Sequence, residues 1–198
     1  MTSRPVPELK QQLRRQCRQR RRGIDAAQRA DWDRQIRIGI LSLPALVPGS
    51  SLAAYWPFDG EPDLRPALAE LHERGHRVCL PIVADAPGAG LQMRHWLPDV
   101  PMLNNRHGVP EPSDCEPVPL QEIDVVFMPL VGWDRHGHRL GMGAGYYDRY
   151  LAPVAELERP LRVGVAYAVQ EVEALPADAW DVPLHGLLSE NGWTPFGD

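Results

Sequence analysis

The glycine-rich stretch RLGMGAGYYDRYL, residues 139–151, combines residue types that bind anions. Its glycines alternate at Gly141, Gly143 and Gly145, and a segment with helical character follows. Backbone N–H groups without obstructing Cβ atoms, placed before a helix, suit a phosphate group. The spacing fits neither the GxxxxGK[ST] loop nor the GxGxxG dinucleotide loop. An ordinary tight turn before a helix explains the pattern equally well.

Charged residues beside this loop suggest what would accompany a phosphate. Asp148 falls one turn into the expected helix, where a carboxylate either holds Mg²⁺ or interacts favourably with the helix dipole. For an isolated aspartate the dipole interpretation is the stronger one. Arg139 and Arg149 flank the loop, and each has the planar fork that binds phosphate, although Arg149 also fits a solvated helix surface.

The first predicted helix carries a second cationic group. Seven Lys or Arg residues and no acid occur between Lys10 and Arg22. Lys10 is the only lysine beside twenty arginines, and a compact ammonium meets phosphate differently from a planar guanidinium. Lys10 and Arg14 share one helix face and would neutralise phosphates near the loop. A solvated basic face is the usual alternative, whereas an RNA-binding arm lacks the interleaved aromatic residues.

The segment YWPFDGEPD, residues 55–63, follows a predicted buried strand. Glu61 would accept hydrogen bonds from an amine-bearing heterocycle, and Trp56 and Phe58 would stack on it. A turn filled with aromatic side chains is the simpler interpretation of this segment alone. His136 and His138 form an HxH pair with no third ligand in view, which favours exposed histidines over a zinc site.

The composition indicates one globular domain spanning residues 1–198, with 43% hydrophobic residues. A net charge of −5 and a pI of about 5.8 argue against general nucleic-acid binding. Three scattered cysteines, Cys17, Cys79 and Cys115, favour a reducing cytoplasm over a disulfide framework. We find no secretory signal and no apolar run of membrane-spanning length, so the sequence predicts a cytoplasmic protein without membrane association.

The order of the predicted elements is that of an α/β protein with a mainly parallel sheet. Such sheets bind ligands beyond the carboxyl ends of their strands. The apolar patterns predict helices at 8–22, 25–43 (capped by Asp25), 64–74 (capped by Asp63) and 146–157 (bent near Pro153), strands at 51–56, 76–83, 90–96, 123–131, 161–168 and near 186–189, and a proline-rich covering loop at 97–120.

Taken together, these motifs resemble the 5-formyltetrahydrofolate cyclo-ligase family, also called 5,10-methenyltetrahydrofolate synthetases. The resemblance covers nearly the whole chain. Its specific block is the glycine-rich stretch within residues 130–151. It is joined, in the family's order and spacing, by KQQLR at 10–14, YWPFDGEPDLRP at 55–66 and GVPEP at 108–112.

The resemblance implies a three-layer α/β sandwich similar to the NagB/ribose-isomerase/CoA-transferase group. It also implies that conversion of 5-formyltetrahydrofolate to 5,10-methenyltetrahydrofolate requires ATP and Mg²⁺. The expected enzyme is a monomer with no nucleic-acid or membrane partner. The implied ATP contacts are Lys10, Arg14, Arg139, Leu140, Gly141, Met142, Gly143, Ala144, Gly145, Tyr146 and Tyr147. The implied folate contacts are Trp56, Glu61 and residues Met142 to Tyr146. The implied magnesium ligands are Asp148 and Asp181.

Two positions depart from the family pattern. His185 stands where the family often has an aspartate, and His107 stands where a phenylalanine or tyrosine is common. Both departures concern the folate pocket and the tail of the chain rather than the phosphate contacts. Two other classes stay open on sequence grounds. One is a non-catalytic protein that binds RNA through its basic helix, and the other is a sugar-phosphate isomerase or CoA transferase built on a related sheet.

Overall fold

The computed structural model describes residues 6–83, 90–113 and 115–197. Within these ranges the α-helices are α1 (Val6–Arg22), α2 (Ala26–Leu41), α3 (Arg65–Glu73) and α4 (Tyr146–Leu151). Short 3₁₀ turns cover Leu120–Glu122, Ala152–Val154 and Ala168–Gln170. None of these helices is long and apolar enough to cross a membrane.

The strands have two to seven residues each. In chain order they are β1 (Ser51–Ala53), β2 (Arg77–Val83), β3 (Leu91–His95), β4 (Met102–Asn104), β5 (Pro110–Pro112), β6 (Pro117–Val118), β7 (Val125–Pro129), β8 (Gly132–Trp133), β9 (Arg139–Leu140), β10 (Leu161–Val165), β11 (Gly186–Ser189) and β12 (Gly192–Pro195).

The main sheet has the order β12-β11-β10-β7-β1-β2-β3-β6. Its interior pairs are parallel, with Leu52 opposite Val125 and Val163 opposite Phe127 in register. Strands β3, β6 and β12 join its edges in antiparallel pairs. The carboxyl ends of β1, β7 and β10 therefore meet at one edge, where α/β proteins bind ligands.

Each face of the sheet is covered by its own apolar core. On one face, α2 and α3 bury Ile36 and Leu68 against sheet residues such as Phe127. On the other face, α4 and the loops bury Leu151 and Val126 together. This layering confirms the expected α/β class with a mainly parallel sheet.

Local chemistry explains where the first helices begin and end. Asp25 caps α2, because its side chain accepts a hydrogen bond from the backbone N–H of Gln28 at 3.0 Å. Gly75 follows α3 with a φ of +84°, a conformation that favours glycine. The prediction that Asp63 caps α3 is wrong. Leu64 holds that position, and Asp63 instead binds the backbone and guanidinium of Arg65.

Several predicted boundaries were wrong. Strand β1 ends at Ala53 rather than at residue 56, and α4 ends at Leu151, after which a 3₁₀ turn holds Pro153. The region predicted as a loop, 97–120, contains the β4–β5 hairpin and β6. Strand β6 pairs with β3 and is the outermost strand on that side of the main sheet.

Candidate active site

The glycine-rich loop directly follows a small hairpin, β8–β9, at the carboxyl edge of the sheet. Strands β8 and β9 pair Gly132 with Leu140, and the side chain of Leu140 is buried. The following residues, 141–144, are exposed to solvent. Gly143 and Gly145 have φ values of +108° and +64°, which residues with side chains rarely adopt. The backbone of the loop is thus accessible to solvent, while the buried Leu140 anchors its first end in the protein.

Helix α1 touches this loop through Arg14. The Nε atom of Arg14 donates a hydrogen bond to the carbonyl of Gly141 at 2.9 Å. A Cβ atom at Gly143 would lie 3.5 Å from the Arg14 guanidinium carbon, so the loop packs closely on that side chain. Burial lowers the pKa of Arg14. The expected proximity of the basic helix and the glycine-rich loop is present in the structure.

Lys10 lies one turn before Arg14 and is mostly buried between two carboxylates. Its Nζ atom donates to Asp178 Oδ2 at 2.6 Å and to Asp181 Oδ2 at 3.3 Å. Burial opposes the charged form of Lys10, but the hydrogen bonds and charges of Asp178 and Asp181 outweigh burial and raise its pKa. A cation held in this way is charged at neutral pH.

Arg139 and Asp148 form a second ion pair beside the first. Arg139 Nη2 lies 2.6 Å from Asp148 Oδ1, and the Arg139 side chain is only 6% exposed. Arg139 also donates to the carbonyl of Val182, whose backbone N–H donates back to Asp148 Oδ1 at 3.2 Å. Because Val182 follows Asp181 in the chain, this exchange places the backbone next to one predicted metal ligand, Asp181, against the side chain of the other, Asp148.

The pair of Asp148 and Asp181 is compatible with Mg²⁺. Carboxylate oxygens are its preferred protein ligands, and in nucleotide sites one or two carboxylates act together with phosphates and water. Groups of three or more metal-ligating side chains do not occur among the described residues. A magnesium ion at this place would therefore be held by the two aspartates together with the nucleotide.

Glu61 lies in a tight turn after β1, and its carboxyl group is largely withdrawn from water. Its Oε2 accepts a hydrogen bond from the backbone N–H of Phe58 at 3.0 Å. Burial raises the pKa of Glu61 to about 7, although the charge of Arg21 and the Phe58 hydrogen bond both favour the ionised form. A carboxyl group in this state changes protonation near neutral pH, which is common at functional sites.

The hydroxyl of Tyr147 is buried near the charges of both Glu61 and Arg139. Burial raises the pKa of the Tyr147 hydroxyl far above its usual value, the charge of Glu61 raises it further, and Arg139 lowers it. That hydroxyl is buried and has no hydrogen-bond partner among the described residues. The pKa of Tyr147 therefore responds to one residue that the resemblance assigned to folate, Glu61, and to one that it assigned to ATP, Arg139.

Tyr146 faces a different neighbour, the tip of the β4–β5 hairpin. Arg106 Nη2 donates to the Tyr146 hydroxyl at 2.9 Å, and the His107 and Tyr146 rings meet edge-on with centroids 6.4 Å apart. The Arg149 guanidinium lies 5.3 Å from the Tyr146 ring centroid. The hairpin thus reaches the glycine-rich loop, as the covering role expected for this region requires.

The remaining sequence candidates have more local contacts. Trp56 packs against Trp96, with ring centroids 6.2 Å apart, and lies 6.0 Å from the Arg65 guanidinium. His138 Nδ1 lies 3.0 Å from Asp134 Oδ2, which places it in the hairpin rather than in a histidine cluster. His185 Nδ1 accepts from the backbone N–H of Arg162 at 3.1 Å, so this departure from the family pattern lies in a strand contact.

Sequence reasoning did not single out three charged residues of this region. Asp178 binds Lys10, while Asp59 binds Arg21 and two further arginines of α1, Arg18 and Arg22. A signal for Arg21 did exist. It continues the four-residue spacing of Leu9, Leu13 and Cys17, so it falls on the inward face of α1, where it is fully buried. Asp178 and Asp59 carried no comparable pattern.

The fold and the site define an α/β protein in which a basic helix meets a glycine-rich loop at the carboxyl edge of a parallel sheet. The sequence model of the 5-formyltetrahydrofolate cyclo-ligase family matches residues 6–190. The chain belongs to that family.

Individual relatives agree with this assignment. The 5-formyltetrahydrofolate cyclo-ligase of Haemophilus influenzae is 35% identical over 183 residues, which cover 91% of this chain and 97% of the relative. That of Escherichia coli K12 is 35% identical over 174 residues, covering 87% and 95%. The solved structure of Aquifex aeolicus 5,10-methenyltetrahydrofolate synthetase superposes with a TM-score of 0.82 at 32% identity, covering 96% of this chain and 94% of that one.

Proposed function

We propose that this protein converts 5-formyltetrahydrofolate to 5,10-methenyltetrahydrofolate, with ATP cleaved to ADP and phosphate and Mg²⁺ as the metal. Family membership supports the conversion. The observation that carries the ATP part is the contact between Arg14 Nε and the carbonyl of Gly141 at 2.9 Å, which places the basic helix α1 against the glycine-rich loop. A triphosphate bound at that loop would lie beside the cations of α1 and next to Tyr147, whose pKa responds to the charges of both Glu61 and Arg139.

The reaction needs an activated formyl group, because an N-formyl amide is a poor electrophile. The formyl oxygen attacks the γ-phosphorus of ATP, the bond from phosphorus to the bridging oxygen breaks, and ADP leaves with that electron pair. The lone pair of N5 meanwhile forms a C=N bond, which gives an iminium phosphate. N10 then attacks this carbon and loses its proton, and the C–O bond breaks to release phosphate.

Such a reaction asks the protein mainly for positioning and charge neutralisation. Lys10, Arg14 and Arg139 would neutralise the triphosphate, and the backbone of residues 141–145 would orient it. Mg²⁺ bound through Asp148 and Asp181 would supply further neutralisation at the phosphates. The hairpin tip at Arg106 would help to exclude water, which otherwise intercepts the activated formyl group.

The finer assignments belong to the same proposal. The interior parallel sheet supports the likeness to the NagB/ribose-isomerase/CoA-transferase group. The buried thiols of Cys17 and Cys79, which form no disulfide, support a reducing cytoplasm. We also infer that the protein acts as a monomer, because the residues assigned to ATP, folate and Mg²⁺ all lie within one chain.

The RNA-binding alternative loses support from the ion pairs of α1. Arg18, Arg21 and Arg22 all bind the single carboxylate of Asp59, at 2.9, 2.9 and 2.5 Å. Lys10 is likewise paired with aspartates. Because these cations of α1 are held in ion pairs within the protein, fewer of them are available to a nucleic-acid backbone.

A direct assay tests the proposed function. The purified protein, given 5-formyltetrahydrofolate, ATP and Mg²⁺, is expected to form the methenyl chromophore and to release one ADP for each product molecule. Omitting either the folate or ATP should abolish both signals. ATP hydrolysis that proceeds without folate and yields no chromophore would contradict the proposal.

The variant Glu61→Gln tests the folate side separately. We expect the KM for 5-formyltetrahydrofolate to rise between about ten- and a hundredfold, because a hydrogen bond to a charged group contributes about 1.5–3 kcal/mol. The KM for ATP should change by less than about twofold. Steady-state kinetics on both substrates measure the difference. Glu73→Gln, an exposed residue at the end of α3, is the matched control, and equal losses for both substrates would remove Glu61 from the folate side.

A further inference from the structure

The turn that presents Glu61 is held in a conformation that needs support from its surroundings. Asp59 and Gly60 have φ values of +51° and +78°, the pattern of a turn with two left-handed central residues. Asp59 is the one non-glycine residue with positive φ in the described part of the chain. Backbone conformations of this kind persist where neighbouring structure fixes them, and they concentrate at functional sites.

Arg21 of α1 supplies that support from inside the protein. Its side chain is fully buried, and Nη2 donates to Asp59 Oδ2 at 2.9 Å. Its Nη1 donates to the carbonyl of Leu130, after β7, at 3.4 Å and lies 4.0 Å from Glu61 Oε1. One guanidinium therefore links helix, turn and sheet, and it stands directly beside the carboxyl group of Glu61.

The charges around Glu61 act in opposite directions. Arg21 favours its ionised form, whereas Asp59, two residues earlier in the same turn, disfavours it. The other titratable groups that face Glu61 are the phenols of Tyr55, two residues after β1, and Tyr147, in α4. Both phenols are buried, with pKa values raised far above the usual one, so they stay neutral near pH 7. The charges that act on Glu61 near pH 7 are therefore those of Arg21 and Asp59.

We propose that Arg21 and Asp59 are positioning residues that set, with opposite sign, whether Glu61 meets the folate as an ionised hydrogen-bond acceptor. The ring of the substrate presents amine and ring N–H donors, which an ionised carboxylate binds and a protonated one binds poorly. Asp59 also weakens the electrostatic effect of Arg21 on Glu61, because the guanidinium lies 2.9 Å from Asp59 Oδ2 but 4.0 Å from Glu61 Oε1. This inference rests on the proposed function for its substrate, but the charge coupling itself does not.

Two substitutions separate the opposing effects. Arg21→Met removes the cation, so Glu61 should hold its proton to higher pH, by about one unit or more. Asp59→Asn removes the anion, keeps the shape and tolerates the left-handed backbone. It also frees Arg21 to approach Glu61, so Glu61 should lose its proton at lower pH. A purely structural role for the two residues would not move one midpoint in opposite directions.

The titration is measured in the free protein by ¹³C NMR of labelled glutamate side chains, with the Glu61 signal identified by its loss in Glu61→Gln. The acid limb of kcat/KM for 5-formyltetrahydrofolate is measured in parallel. It should move to higher pH in Arg21→Met and to lower pH in Asp59→Asn. Arg22→Met is the matched control, because Arg22 is exposed and binds the other oxygen of Asp59. It should move the midpoint less than Arg21→Met does.

Each outcome decides the question. Shifts of opposite sign in both measurements support the proposal. Unmoved titration midpoints overturn the coupling, and moved midpoints with an unmoved kinetic limb overturn its effect on the substrate. If Arg21→Met does not fold, as judged by its thermal melt, the Asp59→Asn shift alone decides. A complete lack of cyclo-ligase activity would count against the proposed function, while the NMR titration would still report on the charge pair.

Discussion

Replacing Lys10 with alanine is expected to raise the KM for ATP about a hundredfold, equivalent to ~2.7 kcal/mol of lost binding. Two effects add together. The variant loses a charge-assisted contact with the phosphates. It also leaves Asp178, which lies 2.6 Å from the ammonium in the native protein, as an unpaired negative charge near an anionic substrate. The KM for 5-formyltetrahydrofolate should change far less.

Companion variants distinguish these two effects. Adding Asp178→Asn to Lys10→Ala removes one repelling charge, so it should recover part of the loss without restoring the phosphate contact. Lys10→Arg keeps the charge but replaces a compact ammonium with a planar fork, and it should show an intermediate KM. Arg15→Ala, an exposed cation of the same helix, is the control. An ATP KM that Lys10→Ala leaves unchanged would exclude Lys10 from the nucleotide site.

The parallel interior of the sheet was predictable because strands that are buried on both faces have continuous runs of apolar residues in the sequence. The segment around Val125 and that around Val163 are of this kind, and both pair in register at the centre of the sheet. The cap of α2 at Asp25 was predictable for a similar reason, since capping depends on residues next to each other in the chain.

The hairpins were not predictable from pattern. Strands β4, β5, β8 and β9 have two or three residues each, too few to show a period, and β5 begins and ends with proline. Proline usually argues against a strand, and here it is tolerated because β4 and β5 form a separate two-stranded ribbon. The contact of Arg106 with Tyr146 follows from that ribbon, so it lay beyond sequence reasoning as well.

The site shows the same division between local and tertiary information. The types and spacing of Lys10, Arg14 and the glycines of the loop point to phosphate, and the structure brings these residues together. The pairing of Asp178 with Lys10 spans 168 positions of the chain and depends on how the folded segments meet. Nothing in a run of seven cations marks Arg21 as the one that reaches Glu61, except its place on the inward face of the helix.

The variant Asp148→Asn is expected to lower kcat about a hundredfold at saturating ATP and to shift the Mg²⁺ concentration for half-maximal rate upward. Asparagine keeps the shape of aspartate and can still accept from the backbone of Val182, but it lacks the charge that would help to bind a divalent cation. Rates measured over a range of Mg²⁺ concentrations test both effects. If much of the lost rate returns at high Mg²⁺, Asp148 acts mainly by binding the metal.

The same substitution weakens an ion pair, so stability must be separated from catalysis. Arg139 is 6% exposed and would lose its charged partner, which is expected to lower the free energy of unfolding by about 1.5–3 kcal/mol. Thermal melts measure that loss independently of the rate. Asp124→Asn is a matched control, because Asp124 pairs with Arg159 and precedes β7, at the opposite edge of the sheet. It should leave kcat and the Mg²⁺ dependence unchanged. If Asp148→Asn behaved like this control, Asp148 would serve only to hold Arg139 in place, and the metal would have to be bound elsewhere.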